Sequence, residues 1–301
     1  MASVTTPVGT PLPKAVPARA SRGLWRDAMR RLLRNPTALV GLAIITGFVV
    51  IAVFAPFIAP YDPLERDPGQ VFSPPSVDHW MGTDRQMRDV MSRIMYGARI
   101  SLIVAVGSVV MGLAIGGTMG AVAGAFGGRV DTVLMRVTDV LLAIPGILLA
   151  IAIVVALDRG LPQIMFAVAV TNAPIFARIL RGSMLSLQGS DYVMAARSIG
   201  APTSRVLFRH LLPNSLTALI VAATLALATA IIDVAGLGFL GLGPADPRIP
   251  EWGTMLTDAS SFYRQAPWII VFTGAAISIV AIGFNLLGDG LREALDPRMR
   301  R

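Results

Sequence analysis

The sequence predicts an all-α, polytopic membrane protein with six transmembrane helices. Three observations point there. Of 301 residues, 54% are hydrophobic and only 15% are charged, with a mean hydropathy of +0.67. Several apolar runs reach the roughly 20 residues that cross a bilayer. The two-residue alternation of a β-barrel is absent.

Composition also excludes chemistry. There is no cysteine, so disulfides, thiol catalysis and cysteine-ligated metals are out. His79 and His210 lie far apart in the chain, and no histidine cluster exists. Lys14 is the one lysine, so a nucleotide-binding P-loop, which needs Gly-Lys followed by Ser or Thr, cannot occur elsewhere. ATP hydrolysis, if it drives this protein, belongs to another chain. The net charge of +8 is nearly all arginine. In a membrane protein that balance points to the positive-inside rule and to anionic lipid, not to nucleic acid.

Residues 1–21 are rich in Pro, Ala, Thr and Ser and are expected to be disordered. No apolar core opens the chain, so no cleavable signal peptide is expected. Residues 24–34 read as a basic amphipathic helix lying on the cytoplasmic surface. With the tail they make a unit of residues 1–35. Asn35-Pro36 then reads as a cap with proline in the first turn. A first span follows over 37–58, and the arginines before it place the N-terminus inside.

Residues 60–95 read as a long polar loop outside the cell, with a short helix after Thr83. His79 and Asp84 could suggest a metal site, but two ligands in a turn carry little weight. The second span, 100–126, places Gly112, Gly116, Gly120 and Gly124 on one face. That face is expected to pack closely on another helix, rather than to form a flexible pore wall. The third span, 133–157, is interrupted by Pro145-Gly146 and carries Asp139. A buried acid is a functional candidate by default, though pairing with Arg136 or exposure in a vestibule is the preferred reading. The fourth span, 162–185, carries Asn172. Asp139, Asn172 and Asp233 are the polar residues expected to face a pathway.

Residues 190–210 form a polar, basic island between apolar runs. Ser190 is expected to cap a short helix, with Asp191 in its first turn. Gly200 is expected to end it in a left-handed conformation, with Pro202 blocking continuation. A second helix starts near Thr203, and Pro213-Asn214 marks the joint with the next span, 211–234. Small residues leave one side of the first helix nearly bare, with Arg197, Arg205 and Arg209 around it. That suits a docking element for a soluble partner. Residues 235–266 read as an outer loop, opened by a flexible Gly-rich apolar stretch. The last span is 266–287. The transmembrane unit is therefore 36–298, with 299–301 as a tail. No convincing internal repeat appears.

Four blocks carry a resemblance. Ala195 and Ala196, then Gly200, then Leu212-Pro213 resemble the "EAA" signature of ABC-importer permeases, with Met194 where the glutamate usually stands. His79-Trp80-Met81-Gly82-Thr83-Asp84, Arg88-Asp89-Val90 and Tyr96-Gly97-Ala98-Arg99-Ile100-Ser101-Leu102 resemble the outer segment of dipeptide and oligopeptide permeases. Met87 replaces that family's usual glycine. Gly236 to Gly243 and Pro250-Glu251-Trp252-Gly253-Thr254-Met255-Leu256 resemble the same group, with Gly238 for a serine and Val234 for a glutamate. Gly288-Asp289-Gly290-Leu291-Arg292 through Arg298 matches its C-terminal signature.

The resemblance, spanning about 30–298, implies a type I ABC-importer permease fold. It implies a di- or oligopeptide substrate, with nickel and glutathione importers sharing the architecture. It implies no cofactor in this chain, with ATP and magnesium held by the ATPases. The implied partners are a homologous permease, two ATP-binding subunits, an extracytoplasmic binding protein and membrane lipid. The implied ATPase-coupling residues are Asp191, Tyr192, Ala195, Ala196, Arg197, Ser198, Gly200, Ala201 and Pro213. A proton-driven transporter is the rival, but only Asp139 would be a buried acid of the kind it needs.

Overall fold

The computed structural model describes residues 29–69, 71–246 and 248–295. Residues 24–28 of the basic helix expected over 24–34 lie outside the described residues; of the rest, 29–32 are helical and 33–34 form a turn. The end of the C-terminal signature beyond Leu295 also lies outside them.

Among the described residues from Pro36 on, nine helices carry the fold: α1 (Pro36–Ile58), α2 (Val90–Phe126), α3 (Gly128–Ala143), α4 (Gly146–Ala156), α5 (Leu161–Gln188), α6 (Asp191–Ser198), α7 (Thr203–Leu242), α8 (Trp252–Ser260) and α9 (Pro267–Leu295). Five of them, α1, α2, α5, α7 and α9, are long and apolar enough to cross a membrane. The sixth expected span is a broken one. Pro145 holds Ile144 extended, and α3 and α4 meet at 95°.

Packing fixes the directions. On α2 and α5, Gly112 meets Ala169, Gly116 meets Ala173 and Gly120 meets Ala177. Both numbers rise together, so the two helices run parallel. The chain must return between them, and the bent α3–α4 pair makes that return, giving six crossings. On α1 and α9, Gly290 meets Ala38 while Gly283 meets Ile44. Those numbers run oppositely, so α1 and α9 are antiparallel, and Asn35 donates to Glu293 at 2.6 Å where their ends meet. The start of α1, the end of α9 and α6 therefore share one end of the bundle. The 60–95 loop and α8 cap the other, where Trp252 Nε1 donates to Ile94 O and Trp268 Nε1 to Thr83 O.

α5 sits at the centre and is the most buried of the five long apolar helices, whereas α1 is peripheral and the least buried. The glycine face of α2 is thus a packing face. At Gly116 and Gly120 an added Cβ would overlap the carbonyl oxygens of Ala173 and Ala177.

Three boundaries differ from the sequence reading. No helix follows Thr83 directly. Instead Asp89 caps α2 at Val90, accepting from Ser92 N at 2.7 Å. The second helical segment therefore starts ten residues before its apolar run. The Gly-rich stretch after Val234 is not a flexible loop. Helix α7 continues through it and ends in a π-turn at Gly238–Leu242, with Gly238 and Gly253 in close backbone contact. Pro213 is no break in the chain either. A proline has no N–H to give, and α7 absorbs it with a π-turn at Leu207–Leu211, the Leu212 N–H reaching back to Leu207 O.

Candidate functional site

The end of the bundle beside the termini carries α6. Its chain is led there by α5, whose last residue, Gln188, donates to Gly124 O at 2.8 Å. Ser190 is extended, but it does not cap α6 as expected. Its hydroxyl donates backwards to Leu187 O at 2.6 Å, and the helix starts without a side-chain cap. Asp191 still places a carboxylate in the first turn and Arg197 a cation in the last, each matched to the helix dipole. Gly200 ends the helix with φ +80°, as expected. The Gly200 N–H donates to Arg197 O and the Ala201 N–H to Ala196 O, the paired bonds of a Schellman cap. Pro202 then stands extended before Thr203, where α7 begins.

Val193, Ala196, Val206 and Leu211 are buried against the bundle. This corrects one expectation: Ala196 lies on the packed side, whereas Ala195 faces out. The free side is not bare. It presents Tyr192, Met194, Ile199 and Phe208, the last two 86% and 66% exposed, among Asp191, Arg197, Ser198, Arg205 and Arg209. Pro213 is exposed at the foot of this surface. Four apolar side chains thus stand out among cations, on a segment flanked by two of the long apolar helices.

The three polar residues expected along a pathway are placed on three separate helices. Asp139 on α3 is held by Arg178 of α5 at 2.7 Å, not by Arg136. Arg181 of α5 makes a two-bonded pair with Asp131 of α3. These two pairs pin α3 to α5. Asn172 is buried, and its amide donates to Val168 O at 2.8 Å within its own helix. Asp233 on α7 makes no hydrogen bond or ion pair among the described residues.

The opposite end holds a polar core that the sequence reading placed in loops. His79 is a bridge between two carboxylates: Nε2 lies 2.9 Å from Asp67 and Nδ1 lies 3.0 Å from Asp89. Burial opposes its charge, but the bonds to Asp67 and Asp89 outweigh that and raise its pKa. The same bond, from the other side, lowers that of Asp67. Glu251 is fully buried and caps α8, accepting from Gly253 N and Thr254 N at 2.8 Å each. Burial pushes its pKa up to about 7, against the pull of those bonds. The signal was present in Pro250-Glu251-Trp252, an acid at a helix start. It was unreadable as a buried group because nothing local says that α2 and α7 close over it.

A bundle of six crossings, with an apolar and basic platform at one end and a polar cap at the other, defines a membrane-embedded transport subunit. The chain belongs to the family of binding-protein-dependent transport system inner membrane components, which matches residues 116–301. The N-terminal TM domain of oligopeptide transport permease C matches residues 23–75. The chain is 45% identical over 297 residues to the dipeptide transport system permease protein DppC of Alkalihalophilus pseudofirmus, covering 98% of this chain and 97% of that one. It is 42% identical to the oligopeptide transport system permease protein OppC of Bacillus subtilis, covering 94% and 93%. It is also 42% identical to the glutathione transport system permease protein GsiD of Pectobacterium atrosepticum, covering 94% of each. An inward-facing structure of the MetNI methionine ABC transporter aligns with a TM-score of 0.54 at 20% identity, covering 69% of this chain and 98% of that chain. That likeness shows the fold. The chain is accordingly a multi-pass permease component of an ABC transporter, with the ATPase activity in separate subunits and no cofactor expected in this one.

Proposed function

We propose that this chain forms part of the pathway of an ATP-driven importer of di- and oligopeptides and is driven through the surface of α6. The observation that carries the coupling role is the exposed set of Tyr192, Met194, Ile199 and Phe208 beside Arg197 and Arg205. Exposed apolar patches in a polar setting mark protein contacts. Asp191, Ala195, Ser198, Gly200, Ala201 and Pro213 frame that surface. Ala196 acts from beneath, packing the helix onto the bundle so that a push on α6 reaches α5 and α7. Two ATP-binding subunits, a homologous permease and an extracytoplasmic binding protein complete the assembly.

The arginine-rich end, with both termini and residues 190–210, faces the cytoplasm under the positive-inside rule. Residues 60–95 and the α8 cap face outside. In this scheme residues 1–35 form the cytoplasmic tail and surface helix, 36–298 the permease unit, and 299–301 the tail end. Asp233 lies in the pathway as its one carboxylate without a partner among the described residues. Asp139 and Asn172, both already bonded, shape the pathway without binding substrate.

The peptide assignment is supported by the dipeptide and oligopeptide names of relatives at 45% and 42% identity. Glutathione is the second reading, favoured by relatives named for it at similar identity. Both readings are tested on the assembled complex. Ile199→Glu places a charge at the centre of the contact. Membrane insertion should survive, while substrate-stimulated ATP hydrolysis falls to the unstimulated level. Wild-type stimulation in this variant would sink the coupling role. Uptake of labelled dipeptide, oligopeptide and glutathione by cells lacking the gene then separates the substrates, since the true one alone stops entering.

A further inference from the structure

The polar end of the bundle encloses a cavity of about 250 Å³ between residues 72–93, α8 and the start of α9. Among the described residues, its charged lining consists of Arg85, Arg88 and Arg93 against Asp84 and Asp258. One positive charge is left in excess. This is not a solvated surface: Arg88 and Arg93 are 4% and 2% exposed.

Asp84 is fully committed. Its Oδ1 accepts from Gln86 N at 2.7 Å and Arg88 N at 2.9 Å, and its Oδ2 accepts from Arg88 Nε at 2.7 Å. Arg93 is served poorly by comparison. Its Nε lies 3.6 Å from Asp84 Oδ2, beyond hydrogen-bond range. Its Nη1 reaches Pro63 O at 3.5 Å, the outer limit of a bond. A guanidinium has five donors, and burying it with so few acceptors is costly unless bonds are completed elsewhere. The cavity is where they can be completed. Arg85 lies over the Phe262 ring at 5.1 Å, which places a third guanidinium at the rim on an apolar support.

The missing partner is defined by that geometry. It must bring one negative charge and two coplanar acceptors, which is what a carboxylate offers a guanidinium fork. A phosphate dianion would exceed the charge. The space holds a carboxylate and several waters at roughly 30 Å³ each.

We infer that this cavity is a carboxylate-binding site anchored by Arg93, and that its ligand is the free C-terminal carboxylate of the incoming peptide. The second half rests on the peptide reading above. The first half does not, and the experiment keeps them apart.

The intact complex in lipid nanodiscs is titrated with trifluoroacetate, read by 19F line broadening, with acetate and acetamide as competitors. Acetate should displace the probe and acetamide should not. Arg93→Gln should weaken binding by roughly tenfold or more, as expected for a charge-assisted bond. Because Arg93 is buried and its loss could disturb folding, Asp258→Asn gives an independent answer. Removing that competing charge should tighten binding several-fold. Binding unaffected by Arg93→Gln, or unchanged or weakened in Asp258→Asn, overturns the site.

Proteoliposomes containing the complex are then given a labelled dipeptide as free acid or as C-terminal amide. The wild type should carry the acid in preference, and Asp258→Asn should widen that preference. Equal transport of acid and amide overturns the peptide terminus as the ligand. Transport of neither, with the trifluoroacetate response intact, overturns the peptide function while the carboxylate site stands.

Discussion

Substituting the glycines of α2 by alanine should separate packing from propensity within one helix. In Gly116→Ala the new Cβ overlaps the carbonyl oxygen of Ala173. In Gly120→Ala it lies 2.5 Å from the Ala177 carbonyl oxygen, and in Gly112→Ala 3.0 Å from that of Ala169. Gly117, one residue along, is the control, since its nearest neighbour is a Leu219 methyl at 3.8 Å. All four changes gain helix propensity, up to about 1 kcal/mol. Overpacking a tight contact costs about 1–3 kcal/mol. Gly117→Ala should therefore be neutral or stabilising. Gly116→Ala should fall below it by about 1–3 kcal/mol, a factor of roughly 5–150 in the unfolding equilibrium. Gly112→Ala should lie between. SDS titration of the purified complex measures this. The overlap is with backbone, so adding Ala173→Gly should not rescue Gly116→Ala. Coincident titrations for Gly116→Ala and Gly117→Ala would refute close backbone approach as the basis of α2–α5 packing, and so would rescue by Ala173→Gly.

Two further outcomes follow from the polar ends. The native chain has no cysteine, so Val77→Cys and Ser204→Cys, both at exposed positions, report sidedness directly. Impermeant maleimide should label Val77→Cys, at a site 90% exposed, in intact cells and label Ser204→Cys only after permeabilisation; the opposite pattern inverts the topology. The His79 bridge should be pH-dependent. Its pKa is raised in the folded chain by Asp67 and Asp89, so its contribution is complete below the unfolded value near 6.5 and is lost as pH rises through the folded value. Amide exchange at Gly82, Thr83 and Val90 should quicken across that interval in the wild type and show no such step in His79→Asn.

The fold was legible where a residue type has one physical use. The glycines of α2 predicted close packing because a helix face without side chains lets another helix approach its backbone in lipid. Their partners were legible too, and were missed: Ala169, Ala173 and Ala177 repeat the same four-residue step on α5. Pro145-Gly146 signalled a break, but the size of the bend is set by how α3 and α4 must return the chain between two parallel helices, which no local pattern encodes. The π-turns were missed for a related reason. Pro213 looked like a joint because a proline removes a bond, yet one extra residue in the turn lets the helix pass through. Gly236 to Gly243 looked flexible because glycine permits many conformations; packing against Gly253 and Glu251 selects one.

The α6 element was read correctly at its end and incorrectly on its faces. Gly200 had to be left-handed, since a helix followed by Pro202 needs a sharp stop, and that inference depends only on backbone sterics. Which alanine faces the bundle depends on the helix phase, and phase is set by contacts made far away in sequence. Val193 and Ala196 stand one turn apart on a single face, so the buried stripe existed in the pattern, but alanine is too small to announce itself as core. The consequence reaches the mechanism. With Ala195 outside and Ala196 inside, the coupling role proposed above assigns the two halves of the Ala-Ala pair different work: one would admit a partner to the helix surface, and the other would seat the helix on the bundle. On that proposal, a larger residue at Ala195 should obstruct the contact alone, whereas at Ala196 it should lift α6 off the bundle and lower substrate-stimulated ATP hydrolysis by loosening the helix itself.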